Sequence, residues 1–587
     1  MTSSNDLERK VTGGEVLVRA LAAEGVELAF GIPGGEMLPF LEAMDRLECG
    51  VAYVGVRHEQ AAAFMADAAT RVSGKPAVAC GTVGPGFVNM LAGTCAAWAD
   101  NVPVLLVHPV HDRVFEDHGR YQSDIDQLAM ARPVVKYQKN VDDPDRVAWA
   151  VRKCFKALHS GRPGPVQLEV REDAFHGETS PRGRVVLPPE RYRATDPPAG
   201  NPAAVNAACE LLLEAQRPLV VSGGGVTLAG CWNDLRALCV DYRLPVGTTF
   251  RGMGTASTDV DVYVGATVGT GGMLKAAREA DVVLALGTKF SYVLAYGQAP
   301  VWNPDAKLIQ VDVDPQMLGK NRPVDVAILG DVGVVLKQLR SNLMARGVAS
   351  GTAIGDPGWL PALREAREQN VKAVWREMTS DKVPILPQRL VHDFFEFLQP
   401  EDVVALDGGD VVNFALSQID YVKPRGPRTV LHSSGFGHLG TAIPYAIGAK
   451  LAAPERDVYF LTGDGSYLFS IGELDTAVRY RVPFVGVVAD NQAWGMIKNK
   501  ERRTWGRKRG YFCVDLPSDD ACSNYVRITE GFGCHAESVV EPSEIKPALQ
   551  RALDWSKANE RPAVVVVPVK FVEPANASLL ASLRKLM

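Results

Sequence analysis

Two short segments in the last third of the chain hold the residues best suited to chemistry. One apolar run ends in Leu461-Thr-Gly-Asp-Gly465, and a later one ends in Phe484-Val-Gly-Val-Val-Ala-Asp-Asn491. Gly463 and Gly465 leave the backbone open to a close-approaching phosphate, and Asp464 places a carboxylate at the end of the strand. Asp490 and Asn491 deliver a second carboxylate and an amide oxygen to the same edge. Hard oxygen donors of this kind suit Mg²⁺ or Ca²⁺ bridging phosphates. A Gly-Asp-Gly tripeptide alone reads as a tight turn, so the pairing of the two segments carries the expectation. A further carboxylate, Glu59, begins the helical stretch Glu59-Gln-Ala-Ala-Ala-Phe. In isolation it reads as a first-turn acid favoured by the helix dipole.

Elements able to position these groups run the length of the chain. Short β-branched runs, such as Val78–Cys80, Val104–Val107, Leu219–Ser222, Val282–Leu286, Leu308–Val311 and Val403–Leu406, alternate with amphipathic stretches. Such alternation predicts parallel sheets covered by helices on both faces. Pro- and Gly-rich segments at 176–202 and 347–359 divide the chain. The expected fold is α/β, with three doubly wound parallel-sheet domains at 1–180, 200–347 and 360–570 and a tail at 571–587.

The paired motif of the last third resembles the diphosphate-binding motif of thiamine-diphosphate enzymes. Residue by residue, the resemblance implies that Asp464, the Asn491 side chain and the Ala493 main-chain carbonyl hold Mg²⁺ or Ca²⁺. Asp410, Gly463, Gly465 and Ser466 would contribute to cofactor binding. Asp490 departs from the family pattern, which usually has Asn there. Around Glu59, the segments Gly31-Ile-Pro-Gly-Gly35 and Gly84-Pro-Gly86 with Asn89 resemble the pyrimidine-binding domain of the acetolactate synthase, oxalyl-CoA decarboxylase and 2-hydroxyacyl-CoA lyase superfamily. This implies that Glu59 activates the cofactor, with Gly34, Gly84 and Asn89 around the pyrimidine. A carboxylic acid bonded to N1' would favour the tautomer whose nitrogen takes the proton from C2 of the thiazolium. In Gly435-Phe-Gly-His-Leu-Gly440, Leu439 falls on the family's apolar wedge, and the Gly437 carbonyl would meet the 4'-amino group. Family members bring the two halves together by dimerising. The resemblance therefore implies a homodimer or homotetramer with active sites at the subunit interface.

The central stretch 285–331 resembles the middle domains of 2-hydroxyacyl-CoA lyases, oxalyl-CoA decarboxylases and benzaldehyde lyase more than the FAD domain of acetolactate synthase. ADP or the nucleotide end of CoA is the expected ligand, with Gly224, Lys289 and Asp312 as contacts. Asp312 ends a strand where an acid can bond a ribose. Lys498, Lys500, Arg502, Arg503, Arg507, Lys508 and Arg509 follow the metal loop. Such a run is often a solvated face, but here it is expected to meet the phosphates of a CoA ester. Gln122 is a candidate catalytic residue, Gly35, Glu36 and Trp494 are pocket candidates, and the tail 571–587 is a candidate lid.

The resulting expectation is a carbon–carbon lyase that cleaves a 2-hydroxyacyl-CoA to formyl-CoA and an aldehyde or ketone. The alternatives are an oxalyl-CoA decarboxylase, or an acetolactate synthase-like or benzaldehyde lyase-like enzyme acting on free 2-oxo acids or acyloins. The net charge of −5 gives no global attraction to nucleic acid or anionic lipid. The polar start MTSSNDLERK and the lack of a long apolar run predict a cytoplasmic protein without a membrane span. The ten cysteines show no C-x-x-C pair, which predicts reduced thiols.

Overall fold

The computed structural model describes residues 10–122, 125–256, 260–267, 271–506 and 524–574. Arg507, Lys508, Arg509 and the tail beyond 574 lie outside the described residues. Three six-stranded sheets follow one another along the chain, every strand pair parallel. The expected α/β class is observed. β-branched runs account for the strands, and the helical crossovers that parallel pairing requires bury both faces of each sheet.

The first sheet comprises β1 (Leu28–Gly31), β2 (Ala52–Gly55), β3 (Ala77–Cys80), β4 (Val104–Val110), β5 (Gln138–Val141) and β6 (Val166–Arg171), in the order β2-β1-β3-β4-β6-β5. Alternation assigns its faces: Ala29, Val78, Leu105 and Leu168 pack into one helical layer, and Phe30, Ala79 and Leu106 into the other. The second sheet comprises β7 (Pro218–Ser222), β8 (Val246–Thr248), β9 (Tyr263–Ala266), β10 (Val282–Leu286), β11 (Lys307–Asp312) and β12 (Val326–Leu329), in the order β12-β11-β10-β7-β8-β9. Counted from β7, this is the 3-2-1-4-5-6 arrangement of dinucleotide-binding folds.

The third sheet comprises β13 (Val403–Leu406), β14 (Val430–Leu431), β15 (Val458–Gly463), β16 (Val485–Asp490), β17 (His535–Ser538) and β18 (Ala563–Pro568). Its order, β14-β13-β15-β16-β18-β17, repeats that of the first sheet. The first and third sheets share one core. Phe64 and Met65 of the helix Glu59–Ser73 and Ile443 and Tyr445 of the helix Ala442–Ala452 pack in one apolar cluster with Ala79 and Leu106 on one side and Phe460 and Val488 on the other. Each such side chain contributes about 1.5–3 kcal/mol when fully buried.

In doubly wound sheets, ligands settle beyond the carboxyl ends of the strands where the strand order reverses. Those positions are the loops after β1 and β3, after β7 and β10, and after β13 and β15. Among the described residues no helix is long and apolar enough to cross a membrane. The eight described cysteines are unpaired.

Candidate active site

Glu59 is the first residue of its helix, capped by His58, and is only 5% exposed. Asn89 Nδ2 donates to its Oε2 at 3.0 Å. Gly86 gives the carboxylate room, since a Cβ there would lie 3.2 Å from Glu59 Oε1 and 2.9 Å from Thr82 Cγ2. On the opposite lip, the Thr82 hydroxyl donates to Glu36 Oε2 at 2.9 Å, and a Cβ on Gly34 would come within 2.5 Å of that hydroxyl. Gly35 faces open space. Gly84 has φ +70°, and its position leaves 2.6 Å between a would-be Cβ and the Gln122 carbonyl. Only glycine tolerates both the angle and the approach. Gln122 is half-buried with φ +64°. The loops after β1 and β3 thus gather Gly34, Glu36, Glu59, Gly84 and Asn89, with Gln122 beside them.

A buried polar chain supports this turn. The Gly84 N–H donates to Gln127 Oε1 at 2.9 Å, and Gln127 Nε2 donates to the Pro109 carbonyl and to Glu169 Oε2. Gln167 Nε2 lies 2.8 Å from His108 Nε2, and His108 Nδ1 lies 3.3 Å from the Pro109 carbonyl. The ring therefore carries its proton on Nδ1 and accepts at Nε2. Burial pushes His108 down to about 3. Between that value and the ordinary histidine value of about 6.5, the unfolded chain binds a proton that the folded chain does not. Stability at this site therefore falls as pH drops through that window. His108→Gln keeps an acceptor for Gln167 and removes the titration. The expected result is a shallower fall in urea midpoint between pH 6.5 and 4, and a slope equal to wild type would refute the assignment.

At the third sheet, Asp464 opens the helix Asp464–Phe469 directly after β15, and Asp490 ends neighbouring β16 with Asn491 next to it. Asp464 Oδ1 accepts from the Gly465 N–H at 2.9 Å. Asn491 Oδ1 accepts from the Ala493 N–H at 3.0 Å, and the Ala493 carbonyl accepts from the Gly495 N–H at 2.8 Å. Burial, with Asp490 alongside, raises Asp464 to about 7. Asp410, after β13, is raised to about 6 by burial although Asn499 Nδ2 donates to it at 2.8 Å. Gly495 separates Asp410 from Asn491, since a Cβ there would lie 2.8 Å from Asp410 Oδ2 and 2.9 Å from Asn491 Nδ2. Gly463 and the buried Ser466 lie at this same edge. Trp494 is 38% exposed, and its ring covers Gly465 so closely that a Cβ would come within 2.7 Å. Acids held above their ordinary values at one strand edge, with an amide and a free carbonyl lone pair, form an oxygen donor set that fits a hard divalent cation.

The loop 433–440 is anchored by Asp100 of the first domain and Tyr292 of the central one. Asp100 Oδ1 accepts from Ser434 Oγ at 3.0 Å and from the Gly435 N–H at 2.9 Å, and Asp100 Oδ2 pairs with Arg71 at 3.0 Å. Tyr292, from the central domain, donates to the Ser434 carbonyl at 2.7 Å. Beyond these anchors Gly437 is exposed and Leu439 half-buried.

The central residues are placed differently from the rest. Gly224 lies under the Arg251 side chain, and Gly225 packs on Gly287, where a Cβ would meet its Cα at 2.6 Å. Lys289 Nζ reaches the Ala99 carbonyl at 3.4 Å, and burial lowers its pKa. Asp312 Oδ1 accepts from the Asp314 N–H at 2.9 Å. In the helix Gly495–Trp505, the Arg502 guanidinium sits 4.5 Å from the centre of the Phe571 ring, and Arg503 pairs with Glu573.

Reading the sequence alone did not single out Asp407, Asn499, Gln127 or Glu473. Asp407 is buried and raised to about 6, and it accepts from the Ala442 N–H at 3.1 Å. A signal for it existed: Leu406-Asp-Gly-Gly-Asp410 repeats the strand, acid and glycine pattern of 461–465. The other three are ordinary polar residues until packing gives them partners.

Residues 11–130, 205–339 and 410–567 match, in turn, the N-terminal TPP binding domain, the central domain and the C-terminal TPP binding domain of thiamine pyrophosphate enzymes. The chain belongs to that family. It is 32% identical to a probable acetolactate synthase large subunit of Methanocaldococcus jannaschii, over 92% of this chain and 90% of the relative. It is 29% identical to the acetolactate synthase isozyme 3 large subunit of Escherichia coli, over 94% and 93%. Sulfoacetaldehyde acetyltransferase of Castellaniella defragrans is 30% identical, over 95% and 93%.

Proposed function

We propose that this enzyme decarboxylates a free 2-oxo acid and joins the resulting acyl unit to a second carbonyl compound, in the manner of acetolactate synthase. The observation that carries the reading is collinear similarity to acetolactate synthase large subunits across all three domains. It favours the free-acid alternative over cleavage of a 2-hydroxyacyl-CoA. An ADP or CoA nucleotide in the crevice between β7 and β10 is supported by strand order alone.

Bound thiamine diphosphate supplies an electron sink for breaking and forming a bond beside a carbonyl. In this reading Asp464, Asn491 and the Ala493 carbonyl hold Mg²⁺, while Asp410, Gly463, Gly465 and Ser466 line the diphosphate. Glu59, oriented by Asn89, holds a proton at N1' of the pyrimidine. Gly437 would offer its carbonyl to the 4'-amino group, Leu439 would support the rings, and Gly34 and Gly84 would border the pyrimidine. Gly35, Glu36, Gln122 and Trp494 face the substrate. The hydrogen bonds of Glu59 and Asn89 stay within the N-terminal domain, and those of Asp464 and Asn491 within the C-terminal one. A homodimer or homotetramer would join the two halves at a subunit interface.

Product analysis tests the reading. With pyruvate, Mg²⁺ and thiamine diphosphate, carbon dioxide and an acetolactate-type product are expected. Formyl-CoA released from a 2-hydroxyacyl-CoA, with no turnover of 2-oxo acids, would overturn it in favour of the lyase. Transfer of an acetyl group from sulfoacetaldehyde to phosphate, with the carbon–sulfur bond broken and sulfite released, would overturn it in favour of acetyl transfer.

A further inference from the structure

The connector between β2 and the helix that begins at Glu59 is held by another domain. The Gly55 N–H donates to the Tyr480 hydroxyl at 2.6 Å. The Arg57 and His58 N–H groups donate to Glu473 Oε1 at 3.1 and 3.0 Å. The Thr476 hydroxyl donates to Glu473 Oε2 at 2.6 Å, and the Arg57 side chain pairs with Asp475 at 2.6 Å. All four of these partners belong to the helix Glu473–Arg479 or its C-cap, Tyr480. Glu473 itself is 2% exposed. Entry into a helix is ordinarily capped by a neighbouring side chain or by water. Here a buried carboxylate more than 400 positions away does part of that work.

We propose that Glu473 is a positioning residue for Glu59: by gripping the Arg57 and His58 amides, it sets the first turn from which Glu59 meets the cofactor. The inference rests on the reading of Glu59 given above. Three donors converge on Glu473, two amides at Oε1 and the Thr476 hydroxyl at Oε2, so both of its oxygens act as acceptors; these donors favour the carboxylate against the burial that raises its pKa. Glutamine keeps one acceptor oxygen for the two amides but loses the charge that strengthens those bonds and the acceptor at Oε2, where its NH₂ meets the Arg57 N–H at 3.3 Å and the Thr476 hydroxyl turned to accept. Loss of the grip frees the direction of the first turn while leaving the Asp464–Phe469 helix and its neighbours in place. Affinity for the diphosphate should therefore persist while proton handling at the pyrimidine suffers.

The test uses the full chain as wild type, Glu473→Gln, Tyr480→Phe and Glu59→Gln. Without cofactor, amide hydrogen exchange over residues 55–58 is followed. With thiamine diphosphate and Mg²⁺, the rate of deuterium exchange at C2 of the cofactor and its dissociation constant are measured. For Glu473→Gln we expect amide exchange about tenfold faster, C2 exchange at least about tenfold slower, and a dissociation constant within about threefold of wild type. Tyr480→Phe, at a partly exposed residue, should move both exchange rates the same way by less, and it decides the matter should Glu473→Gln fail to fold. C2 exchange within about twofold of wild type, or a loss matched by an equal loss of affinity, overturns the proposal. Should Glu59→Gln also leave C2 exchange intact, the reading of Glu59 itself fails; an effect of Glu59→Gln without one of Glu473→Gln or Tyr480→Phe sinks only the positioning role.

Discussion

Glu59→Gln is expected to lower turnover by about 10²–10⁴-fold, the usual contribution of a positioned acid or base, while thiamine diphosphate affinity changes little. The substitution keeps the shape of the side chain, and its amide oxygen still accepts from Asn89, which now bonds Glu59 at 3.0 Å. What it loses is the ability to share a proton with the pyrimidine. Affinity should survive because most of the charge-based grip on the cofactor is assigned to Asp464, Asn491 and the main chain of the other domain. Steady-state kinetics together with a cofactor titration separate the two effects. A drop smaller than about tenfold would remove Glu59 from the mechanism.

Subunit mixing gives the second large effect. Neither Glu59→Gln nor Asp464→Ala should show appreciable activity alone. If each site takes Glu59 from one chain and Asp464 from its partner, random re-pairing makes half the dimers mixed. Each mixed dimer then carries one site with both native residues and one with neither. About a quarter of wild-type activity should return after the two inactive proteins are unfolded and refolded together. Sites contained within single chains would recover none, so a mixture as inactive as its components would refute the shared site. The experiment reads the arrangement of the site, because every chain present in the mixture is inactive by itself.

Much of this molecule was legible along the chain because its information is local. β-branched runs punctuated by Gly turns announce parallel strands wherever they occur, and the strands observed at Val282–Leu286 and Val403–Leu406 keep the boundaries expected of them. Asp464 and Asn491 could be paired in advance because each comes directly after an apolar strand, and β15 and β16 are neighbours in register. The central sheet was expected to resemble a nucleotide-binding domain, and its strand order is that of one.

Long-range partners were not legible, because a side chain's bonds depend on what packing brings to it. The basic run that begins at Lys498 reads as a set of free cations, yet the Arg502 guanidinium lies on the Phe571 ring and Arg503 pairs with Glu573. Asp407 looks like part of a turn and proves to be a buried acid holding the start of the helix Ala442–Ala452. Glu473 has the spacing of an ordinary first-turn acid and instead grips the amides before Glu59. Residue type and local periodicity by themselves determined the α/β class, the three-part organisation and the short segments able to do chemistry. Only the tertiary structure decided which charges have partners and which buried groups orient the rest, since those outcomes arise from contacts between positions from 35 to 416 residues apart.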